Sequence, residues 1–106
     1  MSRQELERAL AGTDSEQIRT ALNSASWYET DWRWSQNHCL AFLEHRDHLV
    51  RWAAALSLGY IALFHKQLDL ELVLPALHRA QEDPEIRSTV GDSMDLITQA
   101  FPNIVQ

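Results

Sequence analysis

The sequence predicts an all-α chain, a short α-solenoid of about six helices in antiparallel pairs, and three observations lead there. Only three glycines and three prolines punctuate the 106 residues. Strict apolar/polar alternation over strand-length windows is absent, whereas apolar spacings of three and four recur throughout. A segment of the second half also repeats itself at a shift of 36 residues, the mark of stacked helical hairpins.

The first helix, about residues 2 to 11, starts after Ser2, lines up Leu6, Ala9 and Leu10, and stops at Gly12. Thr13 to Glu16 reads as a capping box opening a second helix, about 14 to 24, with Ile18, Ala21 and Leu22 inward. That helix is short enough to need tertiary packing. Residues 25 to 31 read as a connector whose Thr30 and Asp31 cap a third helix running to about His45. Its buried stripe is expected to be Trp32, Cys39, Leu40 and Leu43, with Gln36 between.

Asp47 caps a fourth helix to about His65. Val50, Ala53, Ala54, Leu58 and Ile61 form one apolar face of it, and Leu49, Trp52, Leu56, Tyr60 and Leu63 another. A helix apolar nearly all round belongs at the centre. Asp69 opens a fifth, about 70 to 82, with Leu70, Val73, Leu74 and Leu77 inward and a kinking Pro75. The Asp83-Pro84-Glu85 turn leads into a sixth, about 85 to 100, burying Ile86, Val90, Met94 and Ile97.

Nine Lys and Arg against fifteen Asp and Glu give a formal charge of −6 and a pI of about 5.2. That balance disfavours direct nucleic-acid binding, which needs cations against phosphates, and admits a basic partner. The acidity is concentrated: residues 66 to 106 hold three basic and seven acidic side chains. No apolar run reaches the roughly 18 residues of a membrane span, and Met-Ser-Arg-Gln-Glu-Leu-Glu has no signal-peptide core. A cytoplasmic protein is expected, consistent with the lone Cys39.

The repeat aligns Asp47, Val50-Arg51, Ala54, Leu58 and Ile61 with Asp83, Ile86-Arg87, Val90, Met94 and Ile97. With Leu74-Pro75, Leu77 and Asp83-Pro84 these residues resemble the HEAT-repeat family. The resemblance covers about residues 31 to 100. It implies a single domain over 1–106, with degenerate capping helices at 1–30, one HEAT-like unit at 31–65 and a second at 66–106. It also implies that Asp47, Arg51, Asp83 and Arg87 are framework residues of the turns. The period is shorter than the roughly 40 to 47 residues usual in that class, the first unit lacks the proline, and Gly91 is a weak helix former.

More loosely, the whole chain is similar to the small HEAT-like immunity proteins encoded beside contact-dependent growth inhibition toxins. Asp31-Trp32 through Gln36, Cys39-Leu40, His45, Asp47 through Arg51, Leu58 through Ala62, His65, Leu68-Asp69, and Asp92 through Ile97 with Phe101 carry that likeness. It implies a non-enzymatic immunity protein that binds one copy of a cognate toxin domain, often a nuclease.

Three groups of side chains offer candidate chemistry. His38, His45 and His48 offer ring nitrogens, but no carboxylate stands at a helical spacing that joins them into a metal site, and they read as structural. His38 and Cys39 are adjacent and so point apart on a helix, which disfavours a nucleophile pair. Glu71 and Glu82 around His78, and Asp92 with Asp95, read as a solvated acidic face able to steer a basic partner. No catalytic group, cofactor or metal is expected.

Trp27, Tyr28, Trp32 and Trp34 form the densest aromatic cluster. Trp27 reads as a plug between the capping helices and the first unit. Trp32 and Trp34 lie about 200° apart on a helix, so Trp32 is assigned to the core and Trp34 to an interface anchor. On the second helices of the hairpins, Trp52, Ala55 and Gly59, then Ser88, Asp92 and Asp95, are expected to face outward as a surface that is aromatic and then acidic. Trp34, Trp52, Asp92 and Asp95 are the expected partner contacts. The alternative is a HEAT-like scaffold or regulatory adaptor for another cytoplasmic protein; an enzyme, such as a chromophore-lyase-like or nucleic-acid-processing relative, is disfavoured.

Overall fold

Helix starts are written locally. A computed structural model describes residues 1–103, which form α1 (Arg3–Ala11), α2 (Ser15–Tyr28), α3 (Trp32–Phe42), α4 (His48–His65), α5 (Leu70–Ala80) and α6 (Arg87–Ala100). No strand occurs among the described residues. Ser2 and Glu5 close a reciprocal box at α1: the Glu5 amide donates to Ser2 Oγ at 3.1 Å and the Ser2 amide to Glu5 Oε1 at 3.0 Å. The box expected at Thr13 is absent. Asp14 caps α2 instead, accepting from the amides of Glu16 and Gln17 at 3.0 and 3.2 Å, because a carboxylate both bonds these amides and opposes the positive end of the helix.

Expected and observed boundaries differ where tertiary packing intervenes. α2 runs on to Tyr28, through residues read as a connector, since Ala25 and Ser26 are buried and the Ser26 hydroxyl donates to the Asn23 carbonyl at 2.7 Å. α3 stops at Phe42 rather than His45, its last carbonyls taken by tight turns from Glu44 to Ala41 and from His45 to Phe42. α4 keeps its expected limits, with Asp47 accepting the Leu49 amide at 2.9 Å and Lys66 in the left-handed region at φ 56°. α6 begins at Arg87, two residues late.

α4 is central, packing on α2, α3 and α6. α2, α4 and α6 therefore lie side by side, with α1 on α2, α3 on α2 and α4, and α5 on α6. The extents of 37 × 30 × 17 Å have a short dimension that fits two helix layers. Leu6, Ile18, Leu22, Val50, Leu58, Ile61, Val73, Leu77, Val90 and Ile97 fill the interior. In α3 the buried side is Ser35, Gln36, Cys39 and Leu43, while Trp32 and Leu40, expected inside, are half-buried. Ala55 and Gly59, expected to face outward, are buried instead. A Cβ on Gly59 would lie 2.9 Å from Leu96 Cδ1 and 3.1 Å from Ser93 Cα, so the small side chains of α4 are what lets α6 approach.

The turns repeat at 36 residues in detail. Asp47 accepts from the Leu49 amide and Asp83 from the Glu85 amide, at 2.9 and 3.0 Å. Arg51 donates to the His45 carbonyl and Arg87 to the Gln81 carbonyl, both at 2.8 Å. Arg51 also donates from Nε to Asp83 Oδ2 at 2.9 Å, so the first turn holds the next one.

Candidate functional site

The groups with catalytic potential are dispersed: His78, Glu71 and Glu82 are exposed on the surface, and the other histidines are engaged. His45 Nδ1 accepts the Asp47 amide at 3.0 Å, His48 Nδ1 stands 3.3 Å from Glu85 Oε2, and His65 Nε2 lies 3.3 Å from the Ser26 carbonyl. His38 meets Trp34 edge-on at 4.5 Å; burial, and then the Arg3 cation, push its pKa down. Burial alone pushes the Cys39 thiol up to about 12, leaving negligible thiolate near neutrality. Among the described residues no three His, Cys, Asp or Glu side chains come together in a way that could hold a metal ion.

Two carboxylates serve the framework. Asp69 lies at the start of α5 but makes no side-chain cap bond. Instead Arg33 donates to both its oxygens from Nε and Nη2 at 2.9 Å, and buried Gln36 donates to Oδ2 at 2.8 Å while accepting the Asp69 amide at 2.7 Å. Arg33 first, and Gln36 second, bring the Asp69 carboxyl down to about 2. The Ser15 hydroxyl and then the Leu49 amide hold Asp47 below the usual carboxylate range.

What remains unengaged is a surface. α4 turns Leu49, Trp52, Leu56, Tyr60 and Phe64 to the side opposite its Val50–Ala54–Leu58–Ile61 stripe, as helical spacing requires. Trp27, from the extended end of α2, packs tilted against Phe64 with ring centroids 4.1 Å apart and an interplanar angle of 41°, and lies 5.6 Å from Tyr60, which itself stacks on Phe64 at 5.9 Å. These rings are not a buried plug: Trp27 is 45% exposed, Phe64 41%, Tyr28 76% and Trp52 42%. Between α2 and α4 runs a groove of about 300 Å³ lined by Arg19, Asn23, Trp52, Leu56, Ser57 and Tyr60, among others.

Asp92 and Asp95 are exposed on α6, and neither side chain forms an ion pair or hydrogen bond among the described residues. α6 directs Ser93 and Leu96 at α4 and Met94 at Gln81 of the α5 end, so Asp92, beside the α4-facing arc and away from α5, borders the open side of α4.

Trp34 does not join this surface. It is half-buried, with the Arg3 guanidinium 3.9 Å over its ring and His38 at its edge. Its stripe faces α1, whereas Trp52 points away from α3. The sequence reading missed the Trp27–Tyr60–Phe64 cluster. The available signal was the second apolar stripe of α4, too wide for a helix exposed on that side; what hid it was the unrecognised last turn of α2.

No family model matches the chain. No curated protein matches it either. Among solved structures, a chain in the crystal structure of a CDI complex from Cupriavidus taiwanensis LMG 19424 has the same fold, with a TM-score of 0.87 at 23% identity over 96% of this chain and 90% of that one. No helix of the described residues is long and apolar enough to cross a membrane.

Proposed function

We propose that this chain is an immunity protein that binds a cognate bacterial toxin domain one-to-one in the cytoplasm and neutralises it by blocking its active site or substrate path. The observation that carries the reading is the likeness, over nearly the whole of both chains, to a component of a CDI complex. The physical character of the surface supports it, since a binding protein needs desolvatable aromatic area beside charge that selects a partner. In this reading Trp52, Asp92 and Asp95 touch the toxin, the toxin face is basic, and its activity is that of a nuclease. Asp47, Arg51, Asp83 and Arg87 hold the HEAT-like turns, and the chain itself performs no catalysis.

The test is co-expression of the tagged chain with the protein encoded immediately upstream, followed by size exclusion and a growth assay. A stable one-to-one complex and rescue of growth are expected. A folded helical chain that neither binds that protein nor protects against it overturns the reading and moves the choice to an adaptor for an unlinked partner.

A further inference from the structure

The immunity reading leaves open which residues anchor the partner. We propose that the anchor is the aromatic ledge where α2 meets α4, made by Trp27, Tyr28, Tyr60 and Phe64 and continued by Trp52, and that it seats an apolar projection of a toxin surface that is basic where it meets α6. The proposal rests on the immunity reading and places the anchor where the sequence alone did not.

Three observations carry it. Trp27, Tyr28 and Phe64 are each more than two-fifths exposed although Trp27 and Phe64 are in ring contact, tilted at 41° with centroids 4.1 Å apart. Mutual ring contact preorganises large side chains, so little rotamer entropy is left to lose on binding. The ledge is continuous with the α2–α4 groove, which gives a projecting side chain a concave seat of about 300 Å³. By contrast Trp34 already spends one ring face on Arg3 at 3.9 Å.

Charge selects the occupant. The ledge lies on the α2 side of α4; across the open side of α4, beyond Trp52 and Leu56, α6 carries Asp92, with Asp95 further round, both side chains without internal partners on a chain of net charge −6. An anionic lipid surface is repelled by that charge. A second copy docking ledge to ledge would bring two chains of net charge −6 together, an unfavourable juxtaposition. A protein face with Lys or Arg around an apolar centre satisfies both parts of the surface.

The experiment measures binding of the purified upstream-encoded protein to wild type, to Trp27→Ala/Phe64→Ala, to Tyr28→Ala and to Trp34→Ala by calorimetry, with circular dichroism and sedimentation of each free chain. Tyr28 is exposed enough that its loss leaves the fold intact should the double variant be destabilised. Wild type is expected to bind as a monomer, the double variant at least about 30-fold more weakly, the size of a hot-spot loss, Tyr28→Ala more weakly as well, and Trp34→Ala within about threefold of wild type. Folded ledge variants that bind like wild type overturn the ledge and leave the immunity reading standing. No binding by wild type overturns both. A free-chain dimer that the double variant dissolves assigns the ledge to self-association and also overturns the proposal.

Discussion

Asp69 shows how one side chain can abandon its local role for a tertiary one. Its type and position mark it as a helix cap, yet its carboxylate is taken by Arg33, 36 residues away, and by buried Gln36. Arg33 is largely exposed, so solvent screens that pair, whereas the reciprocal bonds of buried Gln36 are shielded from it. Replacing Gln36 by Leu strands the Asp69 amide and removes a donor from its carboxylate, a loss of about 1 to 3 kcal/mol readable as a lower denaturation midpoint at unchanged slope. The carboxyl also predicts a pH dependence. Its folded value of about 2 lies below the ordinary carboxylate value, so the unfolded chain binds the proton first, and the stability it contributes is complete above the ordinary value and lost as pH falls through about 2. Melting temperatures of wild type and Asp69→Asn between pH 6 and pH 2 are expected to converge toward the acid end; a constant gap would show that the charge of Asp69 contributes nothing. The turn residue was legible in the sequence because caps are local. Its partners were not, because no local pattern encodes a contact across 36 residues.

Helix α4 makes the corresponding point one level up. Its limits, cap and central place follow from composition alone, since an Asp before an unbroken apolar stretch leaves few alternatives. Which of its faces stays open did not follow, because that depends on which face α6 packs against, and α6 comes close at Gly59. Gly59 and Gly91 therefore give opposite expectations for one substitution. Alanine normally gains about 1 kcal/mol over glycine inside a helix, and at Gly91, where an added Cβ meets nothing within 4 Å, Gly91→Ala is expected to realise it. At Gly59 the new methyl would sit 3.1 Å from Ser93 Cα, a backbone atom that cannot rotate away, and Gly59→Ala is expected to lose about 1 to 3 kcal/mol as α4 and α6 are pushed apart. Urea unfolding of both variants decides it: two shifts of the same sign would mean that the α4–α6 contact is not governed by this approach. The same reasoning explains the misread end of α2, whose last turn, with Ser26 and two aromatic residues, has weak propensity and is held by burial of Ala25 and Ser26.

At the scale of the molecule, the layer of α2, α4 and α6 presents exposed aromatic side chains on α2 and α4 and exposed aspartates on α6, and on the proposed reading the two would act on different steps of association. Apolar anchors govern how slowly a complex falls apart, while unpaired surface charge governs how fast it forms. Asp92→Lys with Asp95→Lys moves the net charge from −6 to about −2 without touching a buried residue, since each reversal adds two charges. Helicity and melting temperature are expected to stay within experimental error of wild type. The association rate with the partner of the proposed function is expected to fall by about tenfold or more at low salt, with the dissociation rate changed far less. Because the effect is carried through solvent, it is expected to shrink as ionic strength rises from about 0.05 to 0.5 M and the Debye length shortens. Stopped-flow association across that range separates the two halves of the surface. A rate indifferent to both the reversals and the salt removes the acidic strip from the interface and leaves recognition to the aromatic ledge, whereas a salt-independent loss would mean that the two aspartates are desolvated contacts in the bound state, paired with cations and buried with them.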